Sequence, residues 1–383
     1  MSGSKVYKKI AALVLIMTLQ SLVLTGCWSR IEINDRMLVV AMFLDEQEDG
    51  KVLLTLGYAK PNQIASGAGG ESPGSSMPYA TIQGEGRNIS EAYRNIQTNA
   101  SREIFWGQVK IIVMGEQYAR TGVQPLLDFV NRKSAIPLKT YILVAKGTAE
   151  AISMFPTQIE KFPSEIFREL IARKKIITGS VKHFMIAREY GRGMILSYLS
   201  PNPDKSEGHQ IRVLGAALFQ DNQMVDTLDV YKTRGAMWLR GNIKDAIITF
   251  PSPSDGELIS LLIIGAKSKI SLSRKDEKFV YTLKLDIESI VDSSNSSLEM
   301  ADPDTMRHLQ KILSGEVESR IMQAFEASVK AGSDAFQLGS HIAWNYPAEW
   351  KAVKEDWSSV YKERVKLEVQ TKAEIKLLGA QKK

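Results

Sequence analysis

The 383-residue chain has a single cysteine, Cys27, and only four histidines. One cysteine excludes an internal disulfide framework and any thiolate metal cluster. The histidines (His183, His209, His308, His341) form no His-x-x-x-His or His-Glu-x-x-His pair, so no zinc or other metal site is expected. Net charge is also scarce. Lys and Arg number 49 against 43 Asp and Glu, for +6 overall; three of the lysines (Lys5, Lys8, Lys9) precede Cys27, which leaves +3 for the remainder. Basic and acidic residues are interleaved, and that pattern leaves no footprint for nucleic acid. After Cys27 no apolar run is long enough to span a bilayer; the longest uncharged one, Leu258 to Ala266, is about half a span and stops at Lys267 and Lys269. Catalytic signatures are missing as well. There is no Gly-x-Ser-x-Gly elbow and no P-loop. Gly84-Glu85-Gly86 lacks the third glycine of a dinucleotide fingerprint, and Ser359-Val360-Tyr361-Lys362 lacks the elements that accompany Ser-x-x-Lys in acylating enzymes. No catalytic residues and no enzymatic activity are expected. What is present is ordinary globular composition, 44% hydrophobic and 24% charged, with length enough for two or three domains.

The first 26 residues carry the parts of an export signal in order: the basic stretch Lys5 to Lys9, an apolar run from Ile10, and small residues before a cleavage point. Ile10 to Leu24 is short for a membrane span and is interrupted by Thr18, Gln20 and Ser21. It ends in Leu24-Thr25-Gly26-Cys27, which resembles the bacterial lipobox. Residues 1–26 are therefore expected to be a removed signal peptide. Cys27 is the expected lipidation site, bearing a thioether-linked diacylglyceryl group and an N-acyl chain, and no other cofactor is expected. Acyl chains together hold a protein at a membrane where one alone is marginal. Trp28 follows directly, where an amphipathic ring suits the headgroup level, and it is a candidate partner-binding residue.

Along the remainder, Met37 to Leu44 and Val52 to Ala59 read as strands joined by an acidic turn. Pro61 to Pro78, eleven of whose eighteen residues are Gly, Ser or Pro, reads as a surface loop. Asn88 with Glu91 suits a capping box ahead of Ile89, Ala92, Tyr93, Ile96 and Ala100 on one helical face. Buried-type strands follow at Val109 to Met114 and Thr140 to Ala145, with helices between. Ser200 to Gly208, polar and rich in turn formers, marks the first domain boundary. Beyond it, Ile211 to Phe219, Met224 to Val230 and Ile243 to Phe250 read as strands. Period-two alternation at Leu283, Leu285 and Ile287, and from Val365 to Leu377, predicts strands with one dry and one wet face. Between them a long helix opens at Asp302-Pro303 and ends at Gly332. The expected fold class is α+β: mixed or antiparallel sheets packed with helices.

Two clusters stand out as candidate partner-binding surfaces. Trp350 and Trp357 share a helical stripe with Val353 and Val360; such a stripe is more often core, but Trp is also enriched at interface hot spots. Lys366 and Lys372 lie on the wet face of the last strand.

Together these segments resemble the Ger(x)C lipoproteins, the C subunits of spore germinant receptors. The resemblance rests on Leu24-Thr25-Gly26-Cys27-Trp28-Ser29-Arg30-Ile31-Glu32-Ile33-Asn34, on Ala92 to Gln97 with Trp106 to Glu116, on Gly215-Ala216-Ala217-Leu218-Phe219, and on Asp334 to Gly339 with Tyr346 to Trp350 and Trp357. Phe43 stands where that family usually has glycine, and Gln108 where it usually has histidine. The resemblance implies three α+β domains, expected here at 28–200, 209–262 and 263–383, in a non-enzymatic extracytoplasmic subunit at the outer face of the inner spore membrane. Its partners would be the integral membrane A and B subunits, and it would be needed for receptor assembly and nutrient-triggered germination. The alternative from the residues alone is a solute-binding lipoprotein of a transporter, which would need two hinged lobes of βαβ units.

Overall fold

The computed structural model describes residues 3–23, 35–60, 78–155, 160, 162–202, 210–241, 243, 245–300 and 302–376. After a helix α1 (Gly3–Val23), two sheets account for the strands. The first is nine-stranded. Its centre is parallel: β1 (Arg36–Glu46) pairs with β5 (Ile111–Gly115), β5 with β6 (Tyr141–Ala145), and β6 with β7 (Gly193–Asn202). Antiparallel strands β2 (Val52–Ala59) and β3 (Tyr79–Gly86) extend one flank. On the other flank β8 (Gln210–Gln220) and β9 (Gln223–Leu228) extend it from β7. A short β4 (Glu103–Phe105) runs beside the start of β1.

Parallel strands need crossovers, and these cover both faces of the centre. Met42, Leu44, Ile112, Met114, Ile142 and Val144 point to one side, under α2 (Ile89–Asn99), α3 (Glu116–Thr121) and α4 (Gln124–Arg132). Ala41, Phe43, Ile111, Val113, Leu143 and Ala145 point to the other, where Ile152 of α5 (Glu150–Ser153) and Phe167 of α6 (Pro163–Ala172) complete a second core. This explains why β5 is an unbroken apolar run rather than an alternating one. The cap of α2 forms at Asn88, whose side chain accepts from the Glu91 N–H at 3.0 Å. Glu91 reaches back one residue further than a capping box requires, to the Arg87 N–H at 2.8 Å. Helix α7 (Val181–Glu189) leads into β7.

The expected boundary at 200–208 falls between antiparallel neighbours, because β7 ends at Asn202 and pairs with Gln210 of β8. The strands of 209–262 thus divide. Those at 210–228 complete the first sheet, whereas β10 (Ile247–Pro251) and β11 (Leu258–Lys275) begin the second. The strand expected from Ile243 starts only at Ile247, since Gly241 and Asp245 are left-handed (φ 64° and 52°) and break the extended run.

In the second sheet β11 and β12 (Lys278–Ser294) form a long hairpin, and β13 (Val365–Lys376) pairs parallel to β12 as the edge. The hairpin turns at Asp276-Glu277, both left-handed, the backbone that a two-residue turn requires. Period two holds as expected: Leu283, Leu285 and Ile287 are buried, as are Val365, Leu367, Ala373 and Ile375, while their neighbours face solvent. The long helix α9 (Pro303–Ala331) covers the dry face. It opens at Asp302, whose carboxylate accepts from the Thr305 N–H at 2.8 Å, and closes at left-handed Gly332. Met306, Leu309, Leu313, Val317, Ile321 and Phe325 are the buried stripe.

Helix α8 (Val230–Leu239) crosses α9 and joins the two halves. The crossing is close because Gly235 has no side chain; a Cβ there would lie 1.9 Å from the Arg320 carbonyl oxygen. Arg320 is itself buried, its guanidinium 4.6 Å from the Tyr231 ring centre. Gly235→Ala is therefore expected to force α8 and α9 apart and lower stability by about 2–4 kcal/mol. Chemical denaturation of the variant checks this, and an unchanged midpoint would contradict it.

Candidate functional site

Three places bear on function: the segment around Cys27, the seam between the sheets, and the open face of the second sheet. Leu24, Thr25, Gly26, Cys27 and Trp28 lie outside the described residues, as does the Gly/Ser/Pro segment at 61–77. Among the described residues no group of three His, Cys, Asp or Glu side chains could hold a metal ion. Gly84 and Gly86 end β3 and pack under α2 with Ala92, which is a structural use of those glycines.

The seam is built around Asp334, in the loop after α9. It is 1% exposed, yet both carboxylate oxygens are satisfied: one accepts the Leu338 N–H at 2.7 Å, the other the Gly339 N–H at 2.7 Å and the Trp357 indole N–H at 3.0 Å. Each of the neighbouring bonds ties in a different element. Ser333 donates to the Phe219 carbonyl of β8 at 2.6 Å, and Tyr281 of β12 donates to the Leu338 carbonyl at 2.6 Å. Ser328 and Tyr361 hydroxyls meet at 2.8 Å. The first sheet closes on the loop at Gly193, where a Cβ would lie 2.3–2.5 Å from Asp334 backbone atoms. Burial pushes the Asp334 carboxyl up to about 6, and the three donated N–H bonds hold it from rising further.

This knot decides the tryptophans. Trp350, in α11 (Pro347–Val353), and Trp357, at the start of α12 (Trp357–Arg364), are 9% and 3% exposed and meet edge to face at 5.3 Å between ring centres. The Trp350 ring also lies against Gly339. They are core residues that orient the Asp334 loop, so the expectation that they present a partner surface is corrected: burial and the indole bond leave no face to offer. Trp344, in α10 (Leu338–Asn345), is the exposed one, at 68%.

Lys366 and Lys372 do face solvent on β13. Nearby ion pairs join Lys376 to Glu288 at 2.6 Å and Lys275 to Glu368 at 3.9 Å. Charges on an edge strand also discourage pairing with a foreign strand, a structural use that coexists with recognition. The two departures from the family pattern sit apart from all this. Phe43 fills the second core of the first sheet, and Gln108 is exposed on the Trp106–Val109 turn. Ser359 and Lys362 belong to α12, a helix whose buried residues are Trp357 and Tyr361. What sequence reasoning missed is Asp334 as the centre of the knot; a lone Asp ahead of Leu-Gly carries no signal of the three donors that converge on it.

Because its folded value lies above that of an exposed aspartate, the stabilisation from Asp334 is full below about pH 4 and is lost as pH rises through about 6. Asp334→Asn puts an amide before N–H donors that need an acceptor. It is expected to lower stability by about 2–4 kcal/mol and to flatten the pH dependence between about 4 and 6. Denaturant unfolding at several pH values checks both.

Comparison with known proteins agrees with this architecture. A model described as "Spore germination protein N-terminal domain" matches residues 29–200, and one described as "Spore germination B3/ GerAC like, C-terminal" matches residues 214–379. Spore germination protein KC of Bacillus subtilis (strain 168) is 24% identical over 96% of this chain and 95% of its own length. Putative spore germination protein YfkR (25% over 89% and 90%) and spore germination protein B3 (23% over 93% and 95%) of the same organism are similar too. A solved structure, the crystal structure of the GerBC protein, superposes with a TM-score of 0.57 at 18% identity over 87% of this chain and 96% of that one, which shows the shared fold. The chain, matched in order and nearly end to end, belongs to the Ger(x)C family of spore germination proteins, the germinant receptor C subunits.

Proposed function

We propose that this chain is the lipid-anchored, extracytoplasmic C subunit of a nutrient germinant receptor, a non-enzymatic component needed for assembly with the integral membrane A and B subunits and for nutrient-triggered germination. The observation that carries the reading is family membership along the whole chain, joined to Leu24-Thr25-Gly26-Cys27 at the point where the matched region begins. Relatives named spore germination proteins B3 and A3 support a receptor context. In α1, Ile10, Leu13, Val14, Leu15, Ile16 and Met17 are each more than half exposed. That suits a segment read by an export machinery. Among the described residues no helix is long and apolar enough to cross a membrane.

The mechanism is one of confinement. Cys27 carries the acyl groups, at the outer face of the inner spore membrane, and β1 begins nine residues later at Arg36. Nine extended residues reach about 30 Å at most, so the first sheet stays close to the bilayer. Restricting a folded body to a thin layer raises its effective concentration toward membrane partners without any new contact. The seam held by Asp334 makes the two sheets move together, which suits a scaffold better than the hinged lobes of a solute-capturing lipoprotein. With Trp350 and Trp357 in the core, the open face of the second sheet, with Lys366 and Lys372, is the surface we assign to partner contact.

Cys27→Ala expressed in a sporulating host is expected to leave the membrane fraction and to abolish the response of spores to the cognate nutrient. Retention of a full-length, membrane-bound chain would overturn the lipid anchor. Release with germination intact would overturn the receptor role of the anchor. Charge reversal at both lysines, Lys366→Glu with Lys372→Glu, should leave stability within about 0.5 kcal/mol and reduce recovery of the chain with A and B subunits. Undiminished recovery would remove that face from consideration.

A further inference from the structure

A cavity of about 310 Å³ lies where α8 ends against the dry face of the second sheet, at the lower end of the size that small-molecule sites occupy. Its wall includes Leu239 and Arg240 from the end of α8, Ser268 and Ile270 from β11, and Phe336 and His341 from the Asp334 loop and α10. A bulge between Ile263 and Gly265 shifts the register of β11 before the strand reaches the cavity, and beyond it Ile270 and Leu272 remain half-buried.

Arg240 lines the cavity without a partner. Its Nη1 is closed off from solvent and has no acceptor in reach, and among the described residues no carboxylate pairs with its guanidinium. Burial alone, with no anion beside it, pushes its pKa down. A guanidinium that no carboxylate meets is left for an anionic ligand to complete. The rest of the wall suits one kind of ligand. Ser268 presents a hydroxyl close to Gly241, where a Cβ would lie 2.7 Å from its oxygen. His341, held neutral at pH 7 because burial lowers its pKa, can donate from a ring nitrogen. Leu239, Ile270 and Phe336 supply an apolar floor.

We propose that this cavity binds a small organic monoanion, a carboxylate on a short apolar body, with Arg240 gripping the carboxylate and the apolar residues taking the tail. Guanidinium and carboxylate match as two parallel N–H···O bonds, a geometry that a lysine could not offer.

The test uses the full chain purified in detergent, with hexanoate as probe and hexanol and inorganic phosphate as controls, read by calorimetric titration and thermal midpoint. Hexanoate is expected to bind saturably and raise the midpoint, and hexanol at the same concentration to do neither. Arg240→Met keeps the aliphatic stem, so the variant should fold with an unchanged or higher midpoint and bind hexanoate at least about tenfold more weakly. Absence of saturable hexanoate binding, equal binding by the variant, or a response to phosphate alone would overturn the proposal.

Discussion

The buried carboxylate of Asp334 is the constraint on which the arrangement of this chain depends. A charge removed from water must be met by donors, and three N–H groups from two separated segments converge on it. Meeting that demand fixes the loop after α9, the start of α10 and the position of Trp357 at once. Once they are fixed, Ser333 reaches β8, Tyr281 reaches the loop from β12, and Gly193 approaches closely enough to exclude any side chain. The relation between the two sheets is therefore set by hydrogen-bond satisfaction at one residue, backed by the close crossing of α8 and α9 at Gly235.

The sheets themselves solve different problems. The first has a parallel centre buried on both faces, so its strands are apolar throughout and its loops and helices lie on both sides. The second is covered on one side by a single long helix and open on the other, so its strands alternate. Such a division gives a first sheet buried on both faces and a second with a polar face open to solvent. The strand pair β7 and β8 carries the first sheet across the interval that separates the two matched family regions, so the end of one sequence region need not be the end of one sheet.

Function, on this view, comes from position more than from chemistry. An acylated Cys27 would place the first sheet near a bilayer, and the knot at Asp334 would carry that placement to the second sheet. Aromatic residues that could have served recognition instead serve orientation, since the Trp357 indole is one of the donors to the carboxylate. Arg240, with no partner among the described residues, is one of several interior polar groups there that the fold leaves unsatisfied.

Much was legible in the sequence because it depends on local periodicity and on end signals. The Asp302-Pro303 start and Gly332 stop of α9, the alternation in β12 and β13, the unbroken β5 and the Asn88 cap each follow from side-chain spacing and from donors that a helix end leaves free. The order of family motifs along the chain was legible for the same reason, as patterns within a few residues. Tertiary structure decided the rest. The hairpin at Asp276-Glu277 has no glycine to announce it, and the placement of strands 210–228 in the first sheet depends on pairing across an intervening loop. Whether a tryptophan stripe is core or surface depends on what lies opposite. A single aspartate becomes a structural centre only when chain segments far apart in sequence bring their N–H groups to it, and no local pattern records that convergence.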